Sequence, residues 1–431
     1  MRYVLILFLS VFCINTNKGV CGTVSSLQAE GEAIPETLTL DTAIQTALEK
    51  NPQLAAMRKN IEAAEGRIKQ AQLRPNPRLQ YNAEEVPAHG TNGIDPGKGQ
   101  NTLGIGQLFE TGGKRGLRTE VARREKTVAE LEYEALALDI MSQTKRAFYE
   151  VLAAKEGFKI AEETARIARN LEDAARKRFE AGDIPQIEVF KAEVETARSI
   201  NDRTNAEVEL LNAQKRLFTV MGEPEVQSRE PVGALSKETP ILDLDKLQLY
   251  LSQNYPLLEA GKQNVERANT IVKQAKREVI PNLDVSAGYG RDGGAEEDIA
   301  RLAVEVPFPI FNRNQGKIAE SRALVGKAER DYKTLYNNLL LQLNQTFSTY
   351  GAQGKQVKAF IEEILPRAEQ SLNLATEGYK EGEFSYLDVL DAQRTLAQAR
   401  ASYISTLKGL NVTIAELEKL TGKRITEISH E

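Results

Sequence analysis

The chain contains its own copy, and that duplication limits what it can fold into more than any other feature. The stretch Arg178-Phe179-Glu180-Ala181-Gly182-Asp183-Ile184-Pro185-Gln186-Ile187-Glu188-Val189 returns as Gly378-Tyr379-Lys380-Glu381-Gly382-Glu383-Phe384-Ser385-Tyr386-Leu387-Asp388-Val389, with aromatic, glycine, acid and valine in the same places. Gly116 and Gly316, Gly182 and Gly382, and Gly222 and Gly422 are each 200 residues apart. Upstream, Leu40-Asp41 matches Leu244-Asp245, Pro52 matches Pro256, Lys69-Gln70-Ala71 matches Lys273-Gln274-Ala275 and Pro77 matches Pro281, all at an offset of 204. One loop between Leu79 and Gly116 is therefore shorter in the second copy. Repetition at this scale means one supersecondary unit used twice.

Each unit reads as helix, strand pair, long helix, tip and return helix. The opening helices are expected at Leu40 to Leu73 and Leu244 to Glu278, with Asp41 and Asp245 as candidate caps. The period then changes from helical to alternating: Leu79, Tyr81 and Ala83, then Leu103, Ile105 and Gln107, and in the second copy Leu283, Val285, Ala287 and Tyr289, then Leu302, Val304, Val306 and Phe308. From Gly116 to Gly182 there is no proline, and a helix of that length extends roughly 100 Å. The matching stretch to Gly382 contains only Pro366, where a bend or local unwinding is expected.

Gly182 and Gly382 suit the left-handed residue that ends a helix, and Pro185 suits a new first turn, so both tips reverse the chain sharply. The return helices, Pro185 to Met221 and Ser385 to Thr421, carry a heptad seam. In the second it is Val389, Ala392, Leu396, Ala399, Tyr403, Thr406, Leu410, Thr413, Leu417 and Leu420; in the first it is Val189, Ala192, Thr196, Ser199, Arg203, Ala206, Leu210, Ala213, Leu217 and Val220. Each return helix is shorter than the outgoing one. The length is made up if the opening helix of the next copy stacks end to end on it, a pattern that closes only cyclically.

Charged residues reach 27% and aromatics only 6% of 431 residues, with no tryptophan, which suits long helices better than a compact enzyme. The net charge of -5 is spread in both signs along the helices and does not recommend nucleic acid as a partner. Met1-Arg2-Tyr3, the apolar run Val4 to Phe12 and a cleavage region ending at Gly22 read as a secretory signal peptide. Cys13 and Cys21 both fall in or beside it, so an exported product starting at Thr23 has neither thiol nor disulfide. A lipid on Cys21 is the other reading, and Lys18-Gly19-Val20 matches the small-residue pattern for it poorly.

Strands with one greasy face and one small or charged face fit either a membrane barrel or a soluble hairpin on a core. Export without a spanning helix favours the barrel, because lipid-exposed backbone must be fully paired. Four strands are too few for a membrane barrel, which starts at about eight, so several chains must share one.

Signal peptide, duplicated unit and the residues quoted above resemble the TolC family of outer-membrane efflux channels over nearly the whole mature chain. Within it, Glu110-Thr111-Gly112-Gly113-Lys114-Arg115 and Pro307-Phe308-Pro309-Ile310-Phe311-Asn312-Arg313-Asn314-Gln315-Gly316 look like the CzcC branch, the outer-membrane partners of heavy-metal efflux pumps. The resemblance implies a mainly α fold with β: a duplicated helical-hairpin unit forming a periplasmic α-barrel, plus four strands per chain in a shared twelve-stranded outer-membrane β-barrel of a homotrimer. It implies a periplasmic adaptor and an inner-membrane resistance-nodulation-division (RND) pump as partners, passive export of heavy-metal cations, and no cofactor. It also implies an entrance ring of aspartates three residues apart, matched here by Asp388 and Asp391, and hairpin tips that meet the adaptor, matched by Gly182, Asp183, Ile184, Gly382, Glu383 and Phe384. The first copy has Glu188 and Lys191 where the second has its aspartates. An ordinary role for both aspartates, as first-turn acids at a helix N-terminus, stands beside the ring.

The expected organisation is a signal peptide at 1–22, an extension at 23–39, a first repeat at 40–222 with its strand hairpin at about 78–110, a linker at 223–243, a second repeat at 244–422 with its hairpin at about 281–308, and a tail at 423–431. Catalysis is not expected, since the only histidines are His89 and His430 and the carboxylates lie on solvated helix faces. His89 with Glu84, Glu85 and Asp95 could gather round a cation but surround a glycine-rich loop, and no metal site is expected there. The competing functions are a TolC-type channel for drugs or type I protein secretion, and a periplasmic coiled-coil adaptor or structural protein.

Overall fold

A computed structural model describes residues 37–86, 88–89, 93–94, 96–224 and 229–430. The expected signal peptide, residues 23–36 of the extension, residues 225–228 of the linker and Glu431 lie outside the described residues.

The first copy runs β1 (Thr37–Leu38), α1 (Leu40–Lys50), α2 (Pro52–Gln72), β2 (Arg78–Glu84), the short strands β3 (Ala88–His89) and β4 (Gly93–Ile94), β5 (Gln100–Phe109), α3 (Lys114–Glu180) and α4 (Gln186–Val220). After β6 (Glu230–Pro231) come α5 (Leu244–Asn254), α6 (Pro256–Arg277), β7 (Leu283–Asp292), β8 (Glu297–Glu305), α7 (Gln315–Ala359), a π-helical turn (Phe360–Ile364), α8 (Leu365–Glu381), α9 (Tyr386–Thr421) and α10 (Ile425–His430). The linker is tied back by β6, which pairs in parallel with β1.

Three expectations about the helices are corrected. Each opening helix is two helices, because a proline disfavours helical backbone in the residue before it: Asn51 and Tyr255 are extended, and Pro52 and Pro256 each begin a new first turn. The caps are Thr39 and Asp243, not Asp41 and Asp245. Thr39 Oγ1 accepts from Thr42 N–H at 3.3 Å and Asp243 Oδ1 accepts from Asp245 N–H at 2.9 Å, leaving Asp41 and Asp245 inside the first turn.

The third correction concerns stacking, which occurs within each copy and not between them. Asn51 Nδ2 donates to Val220 O at 2.8 Å, and Asn254 Nδ2 donates to Thr421 O at 3.3 Å. The C-terminus of α4 therefore abuts the start of α2, and that of α9 the start of α6. The carbonyl end of one helix faces the amide end of the next, a favourable alignment of dipoles, and the asparagine satisfies a carbonyl that would otherwise be orphaned.

The expected unwinding near Pro366 is present as the π-helical turn just before it. Proline supplies no N–H, and its ring crowds the carbonyl four residues earlier, that of Glu362. Of the heptad seam, Val389, Ala392, Leu396, Ala399, Leu410, Thr413, Leu417 and Leu420 on α9, and Val189, Ala192, Thr196, Ser199, Ala213 and Leu217 on α4, are buried, whereas Tyr403 and Thr406 of α9 and Arg203, Ala206, Leu210 and Val220 of α4 are half-buried.

The main core lies midway along the molecule, where α1, α5 and the linker wrap the centres of α3 and α7. Leu38, Phe148, Leu217, Leu251, Leu343 and Leu410 are among its fully buried members, each contributing roughly 1.5–3 kcal/mol. A second cluster at the tips joins Leu171, Ala175 and Ala192 of the first copy to Ala375, Tyr379, Tyr386 and Val389 of the second. At the opposite end β2, β5, β7 and β8 form one antiparallel sheet in that order. Phe308 does not extend β8, which ends at Glu305 because Pro307 and Pro309 cannot donate to a ladder.

Candidate functional site

The sheet is inside out for a soluble protein. Leu79, Ile105, Ala287 and Leu302 stand opposite one another across the four strands, and Tyr81, Leu103, Tyr289 and Ala300 form the next row on that face. Leu79, Leu302 and Tyr289 are 76%, 84% and 62% exposed, so the apolar face is the one turned outward. The other face carries Gln80, Gly104, Gly288 and Arg301, then Asn82, Thr102 and Gly290. A Cβ on Gly290 would overlap the backbone of Asn101, so the inner face curls too tightly for any side chain there. Arg301 pairs with Glu84, and Arg78 with Asp284, placing the charges on this polar side. An outward apolar band over a polar interior is what a lipid-facing wall requires.

A collar joins sheet to helices, and the two sequence motifs that carried the subfamily resemblance build it. Gly112 and Gly113 turn at φ +67° and +72°, which lets Thr111 N–H reach Asn282 Oδ1 at 3.3 Å and Thr111 Oγ1 donate to Pro281 O. Lys114 is buried and donates to Asn282 Oδ1 at 2.8 Å. Arg118 grips Glu110 through both nitrogens, at 2.7 and 3.2 Å, and holds that carboxyl below its usual range. In the second motif Asn314 Nδ2 donates to Ala275 O at 2.8 Å.

At the far end the two tips lie side by side. Gly182 and Gly382 both sit at φ +85°, and the turn is closed by Asp183 N–H on Arg178 O and by Glu383 N–H on Gly378 O, each at 2.8 Å. Asp183 and Glu383 are exposed, Ile184 packs partly into the tip cluster, and Phe384 folds its ring over Gly378 while remaining 47% exposed. Asp388 and Asp391 lie on one side of α9, both exposed. Asp388 Oδ2 accepts from Ser385 Oγ at 2.7 Å and from Ser385 N–H at 2.8 Å, and these bonds hold its carboxyl below the usual range. Its capping role is thus established in the single chain, while its second oxygen and both oxygens of Asp391 have no hydrogen-bond partner among the described residues.

Two contacts between the tips were missed in the sequence. Arg178 stacks 4.8 Å from the Tyr379 ring centre and donates to Tyr379 O at 3.1 Å. Arg394 pairs with Glu195, and burial beside Glu195 pushes the Tyr386 hydroxyl up to about 12. The repeat held the signal for the first, since Tyr379 takes the place of Phe179. The second had none, because residues 199 apart in the chain meet only once both hairpins are packed.

Of the four groups weighed for a cation, Asp95 and the His89 side chain lie outside the described residues. Glu84 is engaged by Arg301, and Glu85 accepts from Gln100 Nε2 at 3.2 Å. Among the described residues no cluster of three or more histidine, cysteine or acidic side chains could hold a metal, and no helix is long and apolar enough to cross a membrane.

Comparison with known proteins places this geometry. The family model described as outer membrane efflux protein matches residues 43–223 and 249–423. The cobalt-zinc-cadmium resistance protein CzcC of Cupriavidus metallidurans is 33% identical over 392 residues, 90% of each chain. The nickel-cobalt-cadmium resistance protein NccC of Alcaligenes xylosoxydans xylosoxydans is 25% identical over 73% of this chain and 70% of its own. The solved structure of CusC, a former of transmembrane channels, superposes with a TM-score of 0.77 at 18% identity, over 89% of this chain and 92% of that one.

Proposed function

The chain belongs to the outer membrane efflux protein family, a family of transport conduits and not of enzymes, and from that premise we propose that it is the outer-membrane channel of a heavy-metal efflux system. The outward apolar face of the sheet carries this reading. Among the described residues β2 and β8 each leave an edge unpaired, and lipid tolerates no unpaired edge, so the barrel closes only when further copies add their strands. Three copies give twelve strands and a homotrimer around one pore. The barrel sits in the outer membrane, the helices extend into the periplasm, and the tips at Gly182 and Gly382 meet a periplasmic adaptor that links the channel to an inner-membrane RND pump.

Cations fit the cargo because CzcC and NccC, two relatives of this chain, are named for resistance to cobalt, zinc, cadmium and nickel. At the entrance, three copies of Asp388 and Asp391 would set stacked acidic rings that draw cations in without binding them tightly. Passage is passive, and the pump supplies the energy. The test is deletion of the gene followed by growth on zinc, cobalt, cadmium, nickel, copper and silver separately. Loss of tolerance to one or more of these is expected. Unchanged metal tolerance with new sensitivity to organic drugs would overturn the cargo, and extraction without detergent would overturn the channel in favour of a soluble adaptor.

A further inference from the structure

The polar face of the sheet is crossed by a tie that strand pairing does not provide. β2 and β8 are the outer strands of the four, yet Arg301 of β8 bonds both carboxylate oxygens of Glu84 on β2 through its two terminal nitrogens. Arg301 stands in the row of Gly288, Gly104 and Gln80, and Glu84 lies four residues further along β2, opposite Gln100. On a flat sheet, three strand spacings and four residues of rise would put their Cα atoms roughly 20 Å apart, further than the two side chains can bridge. The tie therefore exists because the sheet is rolled, with its polar face concave.

Glycine permits the roll. Under the tie β7 offers Gly288 and Gly290 and β5 offers Gly104, where an added Cβ would lie 2.7 Å from Ala287 O. On these two inner strands the intermediate row holds Gly290 and Thr102. Thr102 stands on the concave face and is nevertheless only 2% exposed, and its hydroxyl has no partner among the described residues. On an open wall that hydroxyl would meet water.

We propose that Glu84 is a positioning residue of the conduit: it draws the Arg301 guanidinium flat across the concave wall and over Thr102, which keeps that positive charge out of the path of the cargo. Arg78 is held on the same face by Asp284, and beyond these two pairs the face carries Asp292, Glu297 and Glu305, so its unopposed charge is acidic. Loose in the bore, one arginine from each copy would oppose cations there; tied to Glu84, its charge is cancelled at the wall. The tie belongs to the single chain, while its role in conduction rests on the channel proposed above.

Two measurements on the full-length protein, purified in detergent, test this. In the first, Thr102→Cys is reacted with a water-soluble maleimide, with the unaltered chain as the blank. Slow labelling is expected while the pair is intact, and labelling about fivefold faster once Glu84→Gln or Arg301→Gln is added, the upper end for a half-exposed ion pair. The exchange Glu84→Arg with Arg301→Glu should restore the slow rate. Fast labelling with the pair intact, or one rate throughout, would overturn the tie. In the second, the unaltered protein, the two single variants and the exchange, all with Thr102 in place, are inserted in a planar bilayer, and the potassium-to-chloride permeability ratio is read from the reversal potential. The ratio should fall in Glu84→Gln, rise in Arg301→Gln and return in the exchange. A ratio unmoved by both single changes, or moved the same way by both, would overturn the positioning role while leaving the channel intact. No conductance from the unaltered protein would overturn the channel and with it the role given to the pair, and the labelling rates would still decide the tie.

Discussion

Replacing Gly222 by alanine should destabilise the protein far more than replacing Gly182, although both glycines end a hairpin helix in the left-handed region, at φ +80° and +85°. A Cβ in that region costs about 1–2 kcal/mol at either site. At Gly182 nothing else is met within 4 Å. At Gly222 the added Cβ would lie 2.4 Å from Lys50 O and 2.7 Å from Lys50 C, backbone that cannot swing away because Asn51 is held on Val220 O. Forcing that joint apart adds a further cost of about 1–3 kcal/mol, typical of overpacking. The expected losses are thus about 2–5 kcal/mol for Gly222→Ala and about 1–2 kcal/mol for Gly182→Ala. The assay is helix loss by far-ultraviolet circular dichroism against denaturant, on protein purified in the same detergent. Equal shifts for the two variants would refute the claim that α4 and α2 abut at this glycine.

Asn51→Ala should cost about 1–2 kcal/mol in the same assay, since it removes both the amide on Val220 O and the cap on Gln53 N–H; a neutral result would show that the stack is held elsewhere. Replacing Asp388 and Asp391 by alanine should alter single-channel conductance or its block by cations in a planar bilayer, and unchanged conductance would remove both from the entrance. Only the Asp388 change should also fray the start of α9, visible as faster amide exchange there, because only Asp388 caps Ser385. The Glu110 carboxyl is held below its ordinary value of 4.5 by Arg118, so the pair's contribution is whole above that pH and is lost as pH falls through the lower folded-state value. Acid titration of the wild type and Glu110→Gln should show a stability gap at neutral pH that closes only below about pH 4.5, and a constant gap would place the effect elsewhere.

The repeat made most of the architecture legible. Gly182, Gly382 and Pro366 each act locally, through φ or a missing N–H, and so could be read from residue type alone; the heptad seams of α4 and α9 were equally open, because a periodicity reports the buried face whatever covers it. Partners were harder. Helix lengths made stacking necessary but did not say which helix follows which, and the choice fell to Asn51 and Asn254, whose amides reach carbonyls more than 160 residues away. Caps were misplaced for a similar reason: Asp41 and Asp243 are the same residue type near a helix start, and only backbone geometry shows that the chain enters the helix at Thr39 in one copy and Asp243 in the other. At the tips, Asp388 and Asp391 were singled out only by the family resemblance, and nothing in the sequence joined Arg394 to Glu195.

The two copies meet at three levels held by different forces, and this sets where the molecule can move. At the sheet, β5 and β7 share a ladder ten residues long, from Gln100 opposite Asp292 to Phe109 opposite Leu283, and in the barrel proposed above its bonds would have no water to replace them. At the centre, aliphatic side chains from both copies are fully buried, and separating even a few of them costs several kcal/mol. At the tips the cluster is small, and its polar ties are Arg178 on Tyr379 and an Arg394 that is half exposed, a class of ion pair that contributes about 0–1 kcal/mol. Displacing one tip from the other is therefore the least costly motion between the copies. The second copy also has its helix ladder interrupted by the π-helical turn at Phe360–Ile364, above the tip, whereas α3 runs unbroken to Glu180. The α8–α9 tip, which carries Asp388 and Asp391, is thus the movable one, and the α3–α4 tip is the strut it moves against.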